Sequence, residues 1–241
     1  CNVFYYSLVM KLGLAKFNEY SQRFGFGRAT GFDAGDETSG LVPSEQYYDR
    51  VYGKGKWTQG NVVSLGIGQG EVGVSPLQMA RFTVAIANGG TLVQPHAVRA
   101  IRNKRLQRTT EITTTTKATG INARAFALIQ EGMRQCVMEP GGTAGMARIP
   151  GLTAAGKTGT AQNPHGEDHS WFVGYAPVDT PKIAVAVLVE NAGFGGTIAA
   201  PIASYVMERY LKGRVERPVW LPKPKAPPDS VRTMTSVVGG R

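Results

Sequence analysis

A cationic side chain, a glycine and two hydroxyls follow one another in Lys157-Thr158-Gly159-Thr160, within a segment that has no helix signal. If this run is extended, Lys157 and Gly159 point to one face and Thr158 and Thr160 to the other. Gly159 lets a ligand's backbone come close, and the Thr160 N–H is free to bind a developing oxyanion. The run therefore indicates a strand edge that holds an anion. An ordinary edge strand with threonines selected for β-propensity has the same composition.

The run lies in the first of three predicted strands, and the other two must hold it in position. The three strands cover about 152–162, 169–176 and 182–190, with short connections that predict an antiparallel meander. The third is apolar at every residue from Ile183 to Val189, which predicts a strand buried on both faces.

Helices are predicted before, between and after these strands. Ser75, with Gln78 three residues later, is a helix start of the capping-box type, and Asn122 is the cap of a second helix. Residues 2–24 have helical spacing, and 197–211 form a closing helix. The predicted fold class is therefore α+β, with an antiparallel sheet flanked by helices, and 25–60 is predicted to be a loop folded onto the body.

The composition is that of a globular chain with a basic surface. Of its 241 residues, 42% are hydrophobic, and 27 basic against 17 acidic residues give a formal charge of +10. Such a charge favours an anionic neighbour, whether a membrane surface, a cell-wall polymer or nucleic acid. Residues 91–121 carry part of it in what we predict to be a solvated hairpin. Alternatively, the hairpin is a specific binding strip.

Metal and cofactor sites are not predicted. The two cysteines, Cys1 and Cys136, are too far apart in sequence for a disulfide framework or a zinc site, and the three histidines have no paired metal spacing. The glycines of 64–70 lack the acidic residue and β-α-β setting of a dinucleotide loop.

Three local features together resemble the transpeptidase domain of class B penicillin-binding proteins, a family with Ser-x-x-Lys, Ser-x-Asn and Lys-Thr-Gly motifs. Lys157-Thr158-Gly159 matches the third motif. The run 169–177, His-Ser-Trp-Phe-Val-Gly-Tyr-Ala-Pro, is similar to the strand that follows in class B members. Cys1-Asn2 is similar to the end of a Ser-Cys-Asn second motif. The resemblance covers nearly all of 1–212 and is greatest to the elongation class.

The resemblance implies a β-lactamase/transpeptidase-like fold and a role for each matching residue. Lys157 supplies positive potential and supports proton movement, and the hydroxyls of Thr158 and Thr160 bind the donor's terminal carboxylate. The Thr160 N–H forms half of an oxyanion hole, with Gly159 beside it. Asn2 binds the donor amide; as an alternative, Asn2 only caps the first helix.

One motif of the family is absent from the sequence. No serine is followed by lysine three residues later, and only Thr114 has that spacing, to Lys117. We therefore expect the nucleophile and its lysine upstream of Cys1, with the N-terminal strands and nucleophile helix also missing, so that these 241 residues alone are catalytically incomplete. Residues 213–241, rich in proline and basic side chains, are predicted to be a disordered tail.

The resemblance also implies an activity, partners and a location. The activity is peptidoglycan cross-linking through an acyl-serine intermediate, with stem peptides as substrates and β-lactams as inhibitors. The implied partner is a membrane glycan polymerase of the elongation machinery, with no nucleic acid and no cofactor. The domain would be extracytoplasmic, on an inner-membrane anchor that lies outside this chain. Three alternatives stay open: a β-lactamase of the same fold, a penicillin-sensing domain, and a basic binding module without acyl chemistry.

Overall fold

Six α-helices and seven β-strands form the part of the chain that the structure describes, residues 1–220 of this computed structural model. The helices are α1 (Asn2–Leu12), α2 (Leu14–Arg23), α3 (Glu45–Tyr52), α4 (Pro76–Ala87), α5 (Ala123–Met138) and α6 (Ala199–Lys212). The strands are β1 (Thr91–Val93), β2 (Ala100–Asn103), β3 (Arg108–Glu111), β4 (Thr116–Ala118), β5 (Ala155–Ala161), β6 (His169–Ala176) and β7 (Ile183–Val189). Two 3₁₀ helices cover Gln59–Ile67 and Gly145–Ala147. Every strand thus follows α4.

Strands β5, β6 and β7 form the central antiparallel sheet in that order, which confirms the predicted meander. Lys157 lies opposite Val173, and Val173 lies opposite Ala186. The prediction that the third strand is buried on both faces is wrong, because only Val185 of β7 is buried. The most buried strand is β6, which has a strand on each side and buries six of its eight residues. Strands β5 and β7 are the outer strands of this sheet.

The sheet is covered by helices on both faces. On one face, α6 packs against β6 and β7 around Phe172 and Met207, both fully buried. On the other face, α4 and α5 pack around Val173 and Tyr175. Because neighbouring residues of a strand point to opposite faces, Phe172 and Val173 belong to different cores. The α+β architecture of an antiparallel sheet between helices is confirmed.

The two predicted capped helices begin where the sequence indicates. Ser75 accepts from the Gln78 N–H while the Gln78 side chain accepts from the Ser75 N–H, so both halves of the capping box are present at α4. The Asn122 side chain accepts from the Arg124 N–H at the start of α5. The closing helix is α6, with Pro201 in its first turn, where a missing N–H costs little.

Two helical regions differ from the sequence prediction. Residues 2–24 form two helices, because Gly13 has φ of 78° and breaks the run into α1 and α2. Asn2 does not cap α1: it is the first helical residue, and the capping position is Cys1. The predicted loop 25–60 contains α3, capped by Ser44, whose side chain accepts from the Tyr47 N–H.

Residues 91–118 fold into two small strand pairs. Strands β1 and β4 pair with each other, and between them β2 and β3 form a hairpin in which every strand residue is exposed. The predicted solvated hairpin is therefore confirmed.

The segment after α6 returns to that helix as far as it is described. Arg217 Nε donates to Glu208 Oε2 at 3.0 Å, and Glu208 is fully buried. Of the predicted tail, 221–241 lie outside the described residues. Across 1–220, none of the helices has the length and apolar character needed to cross a bilayer.

Candidate active site

Five consecutive residues of β5, Lys157 to Ala161, form one wall of a cavity of about 660 Å³. The rest of the lining is largely apolar and comes from α2, α4, β6, the loop after α2 and the segment 65–74. Its apolar side chains include Phe17, Phe26, Val42, Leu65, Ile67, Val72, Met79 and Phe82. Among the described residues that line the cavity, Lys157 is the one charged side chain. The site is therefore a largely apolar cavity in which one strand, β5, carries a positive charge at Lys157.

The edge of β5 away from β6 presents the unpaired backbone groups of this wall. Residues Thr158 and Thr160 direct their backbone groups to this edge, because their carbonyls accept from Lys157 Nζ at 2.7 Å and from Gln69 Nε2 at 3.4 Å, groups outside the sheet. In an antiparallel strand the N–H and the C=O of one residue point to the same side. The Thr160 N–H therefore also points to the free edge.

The hydroxyl face of β5 is fixed by two loops. Thr158 Oγ1 donates to Thr143 Oγ1 at 3.1 Å, which holds the strand to the loop after α5. Gly195 lies directly over β5 and β6, where any Cβ would collide with the carbonyl oxygens of Gly159 and Trp171. A glycine at this position lets the loop lie flat against the strands, and Thr158 and Gly159 are held in place.

The loop that carries Gln69 is equally constrained. Gly68 and Gly70 have φ of 75° and 76°, which side chains with a Cβ rarely adopt, and the Gln69 N–H donates to the Ser64 carbonyl at 3.0 Å. Just beyond, Glu71 Oε2 accepts from the Tyr48 hydroxyl at 2.8 Å. Burial, reinforced by Glu71, raises the pKa of Tyr48 above its ordinary value of 10.0, so the hydroxyl keeps the proton that it donates at pH values where an exposed tyrosine ionises.

Helix α1 packs on the 3₁₀ helix before this loop. Any Cβ at Gly66 would meet the Tyr5 carbonyl and the Val9 side chain, so the close approach depends on glycine. Of the predicted site residues, Lys157, Thr158, Gly159 and Thr160 lie together. Asn2 is exposed at the start of α1 and does not line the cavity.

Sequence reasoning missed Gln69, Thr143 and Gly195. Gln69 lies in the glycine-spaced run 64–70, which lacks the setting of a dinucleotide loop, yet the glycines at 68 and 70 indicate a sharp turn that directs one side chain. Nothing in the sequence signals the bond from Thr143 to Thr158. Across 1–220, His, Cys, Asp and Glu side chains form no group of three or more suited to a metal ion.

Comparison with known proteins gives a consistent result. A family profile described as penicillin binding protein transpeptidase domain matches residues 1–208. Peptidoglycan D,D-transpeptidase MrdA of Haemophilus influenzae is 33% identical over 230 residues, which are 89% of this chain and 35% of the relative.

Two solved structures are also similar. Penicillin-binding protein PBP2 of Pseudomonas aeruginosa, in complex with WCK 5153, has a TM-score of 0.76 at 33% identity, covering 89% of this chain and 47% of that one. PBP2 of Helicobacter pylori, in a complex with MreC, has a TM-score of 0.73 at 26% identity, covering 88% and 38%. The matched part of this chain corresponds to 35% of the length of the Haemophilus influenzae relative.

Proposed function

The chain belongs to the penicillin-binding protein transpeptidase family, and from that membership we propose that it supplies the substrate-holding wall of a peptidoglycan D,D-transpeptidase of the elongation class. The observation that carries the proposal is the meeting of Lys157, Thr158, Gly159 and Thr160 on the free edge of β5, beside a cavity of about 660 Å³. A strand edge next to a cavity accepts an extended peptide through main-chain hydrogen bonds.

The charge of the site fits a peptide that ends in a carboxylate. Lys157 is the one charged side chain lining the cavity within the described residues, so an anionic chain end gains Coulomb energy only when it lies beside β5. The hydroxyls of Thr158 and Thr160 are proposed to bind that carboxylate. Thr158 then exchanges its bond to Thr143 for one to the ligand.

The proposed reaction has two steps. A serine hydroxyl attacks the carbonyl between the two terminal D-alanines of a stem peptide, forming an acyl-serine ester and releasing the last D-alanine. An amine of a neighbouring stem peptide then attacks the ester, forms the cross-linking amide and regenerates the serine. The Thr160 N–H at the free edge is proposed to bind the oxyanion of each tetrahedral intermediate.

The serine itself is proposed to come from outside these 241 residues, which contain no Ser-x-x-Lys. Asn2 is proposed to bind the donor amide once that segment is in place. It begins the helix that packs on the 3₁₀ helix of the cavity wall.

The location and partners follow from the same family membership as proposals. The domain is extracytoplasmic on an inner-membrane anchor, acts on stem peptides, is inhibited by β-lactams and accompanies a membrane glycan polymerase of the elongation machinery. The similar PBP2 of Helicobacter pylori has been solved in a complex with MreC, which supports an elongation setting.

The test is acylation by a labelled penicillin, read by intact-protein mass. A protein extended on its own gene to include a Ser-x-x-Lys should take up one label, whereas residues 1–241 alone should not. In the extended protein, Lys157→Ala should slow acylation about a hundredfold, because charge stabilisation at the reacting centre is lost. Lys182→Ala, outside the sheet and the cavity, is the matched control and should leave the rate unchanged. An unlabelled extended protein, or labelling of residues 1–241 alone, would contradict the proposal.

A further inference from the structure

A side chain from a distant part of the sequence shares the free edge of β5 with Lys157. Gln69 Nε2 donates to the Thr160 carbonyl at 3.4 Å, and Lys157 Nζ donates to the Thr158 carbonyl at 2.7 Å. Two successive carbonyls of this edge are therefore both occupied by N–H donors of the chain itself. The same two carbonyls are the ones that an added peptide strand would use.

Unpaired strand edges are hazardous, because they pair with any extended chain that reaches them. Charged side chains on the edge strand are one common protection, and Lys157 is of that kind. Gln69 provides a different protection: it is neutral, comes from another segment, and places a primary amide where the N–H of a pairing strand would lie. Chemically, the Gln69 amide imitates the peptide group of a ligand.

The position of Gln69 is set by its backbone and leaves only the side chain able to move. The left-handed glycines at 68 and 70 and the bond from the Gln69 N–H to the Ser64 carbonyl fix the loop. The bond between Tyr48 and Glu71 holds the segment that follows. A rotation about the side-chain torsions of Gln69 is therefore enough to uncover the Thr160 carbonyl, with no change in the fold.

The length of the bond shows that this cap is weak. A backbone N–H to carbonyl bond is about 2.9 Å long, and bonds weaken as they lengthen. At 3.4 Å the contact from Gln69 Nε2 to the Thr160 carbonyl is longer than the usual N–H to oxygen bond of about 2.7–3.2 Å. A ligand N–H at ordinary length would replace it favourably.

We propose that Gln69 is an exchangeable cap of the substrate-binding strand, which occupies the Thr160 carbonyl until a ligand N–H takes its place. This inference rests on the proposed function, since it concerns the same strand edge. Gln69 is accordingly a specificity-determining residue: ligands that present an N–H to Thr160 must displace the cap, whereas ligands without that N–H leave it bound.

The experiment uses the full protein with its Ser-x-x-Lys segment and two β-lactams. One carries an acylamino side chain, which has an N–H near the reactive carbonyl, and the other has a hydroxyethyl group there. The readout is the ratio of their second-order acylation rate constants. Gln69→Ala removes the donor, and Gln69→Glu removes it while keeping the volume, so both should raise the ratio in favour of the acylamino ligand by about threefold to tenfold, the usual net effect of one hydrogen bond.

The control is Gln59→Ala, at the other end of the 3₁₀ helix, where Gln59 lines a separate cavity beside Gly13 and Trp57. It should leave the ratio unchanged. A loss of fold would slow both ligands alike, so a ratio that stays at the wild-type value in both Gln69 variants, or one that falls, overturns the inference. A wild-type protein that neither ligand acylates contradicts the proposed function instead.

Discussion

The two faces of the central sheet differ in how fully their polar groups are paired. On the α6 face, the buried Ser170 hydroxyl donates to the Phe194 carbonyl and accepts from the Ala199 N–H. The buried Ser204 donates to the Arg148 carbonyl at 2.9 Å. The buried Glu208 is paired with Arg217 at 3.0 Å. Each of these groups has the partner that burial demands.

On the α4 face, the pairing of buried polar groups is less complete. The Tyr175 hydroxyl is buried there and has no hydrogen-bond partner within the described residues. Burial raises the pKa of Tyr175 to about 12. The large cavity lies on the same side, where Val173, Met79 and Phe82 contribute to its lining.

The difference between the two faces shows how β5 can be held rigidly and still leave its free edge open to a ligand. On the α6 face, α6 packs closely on β6 and β7, and the loops that carry Thr143 and Gly195 hold β5, so the strand edge keeps its geometry. The α4 face leaves space along the same strand, which a ligand needs. Preorganised backbone donors keep their positions in such an arrangement, so that only side chains such as Gln69 and Thr158 have to change partners when a ligand binds.

The largest expected effect compares an aromatic residue from each face. Phe172→Ala on the α6 face should lower the free energy of unfolding by about 4 kcal/mol, because its fully buried ring leaves a closed void. Phe82→Ala, at the cavity, should cost about 2 kcal/mol, since the space it vacates joins existing open volume. Urea unfolding of both variants measures the difference. Equal losses of unfolding free energy in the two variants would contradict the proposed difference between the two faces.

A smaller effect is expected from the ion pair on the α6 face. Arg217→Ala should cost about 2 kcal/mol, because it leaves the buried Glu208 carboxylate without its principal partner. Arg214→Ala is the control: Arg214 pairs with Glu216 at 3.5 Å in an exposed position and should change stability by less than about 0.5 kcal/mol. Thermal unfolding of the two variants decides the question. A comparable fall in melting temperature in the two variants would show that the Glu208 carboxylate is solvated in solution.

The smallest expected effect has the opposite sign. Tyr175→Phe removes a buried hydroxyl that lacks a partner and should raise stability by about 1 kcal/mol at neutral pH. Tyr48→Phe, in contrast, removes a hydroxyl that donates to Glu71 and should lower stability by about the same amount.

The Tyr175 prediction also has a pH dependence. Its folded pKa of about 12 lies above the ordinary value of 10.0, so the unfolded state ionises first and the wild type loses stability as pH rises from 10 towards 12. The Phe variant lacks this loss, and its advantage should widen over that interval. Unfolding midpoints measured at pH 8, 10 and 11 test this; an advantage that narrows would mean that the pKa of Tyr175 is lower in the folded than in the unfolded state and would contradict the prediction.

Local signals in the sequence were sufficient for the parts of the fold that local chemistry decides. Ser75 with Gln78, and Asn122, predicted two helix starts, and the meander of β5 to β7 followed from spacing. The lining of the cavity by Lys157 to Ala161 agrees with a strand edge at that run. The individual roles of Lys157, Thr158, Gly159, Thr160 and Asn2 stay predictions.

What the sequence could not show depends on contacts between distant segments. The bond of Gln69 to Thr160 spans 91 positions, and that of Thr158 to Thr143 joins a strand to a loop. The prediction of a loop at 25–60 overlooks helix α3, although its Ser44 cap and the helical spacing of Tyr48, Val51 and Tyr52 are visible in the sequence, because the helix has only eight residues and lies in a glycine-rich segment. The prediction that β7 is buried on both faces rests on its run of apolar residues, and such a run does not reveal that β7 is an outer strand of the described sheet.

The contact between Arg217 and Glu208 has a practical consequence for anyone who shortens this protein. Helix α6 is the last helix of the described residues and ends at Lys212, which makes that residue an obvious place to cut a gene or to attach a fluorescent tag. A cut there would remove the guanidinium that neutralises Glu208, together with its bond to the Arg148 carbonyl. A boundary after Trp220 keeps these contacts, together with the bond that the Trp220 N–H donates to the Tyr205 hydroxyl of α6 at 2.8 Å.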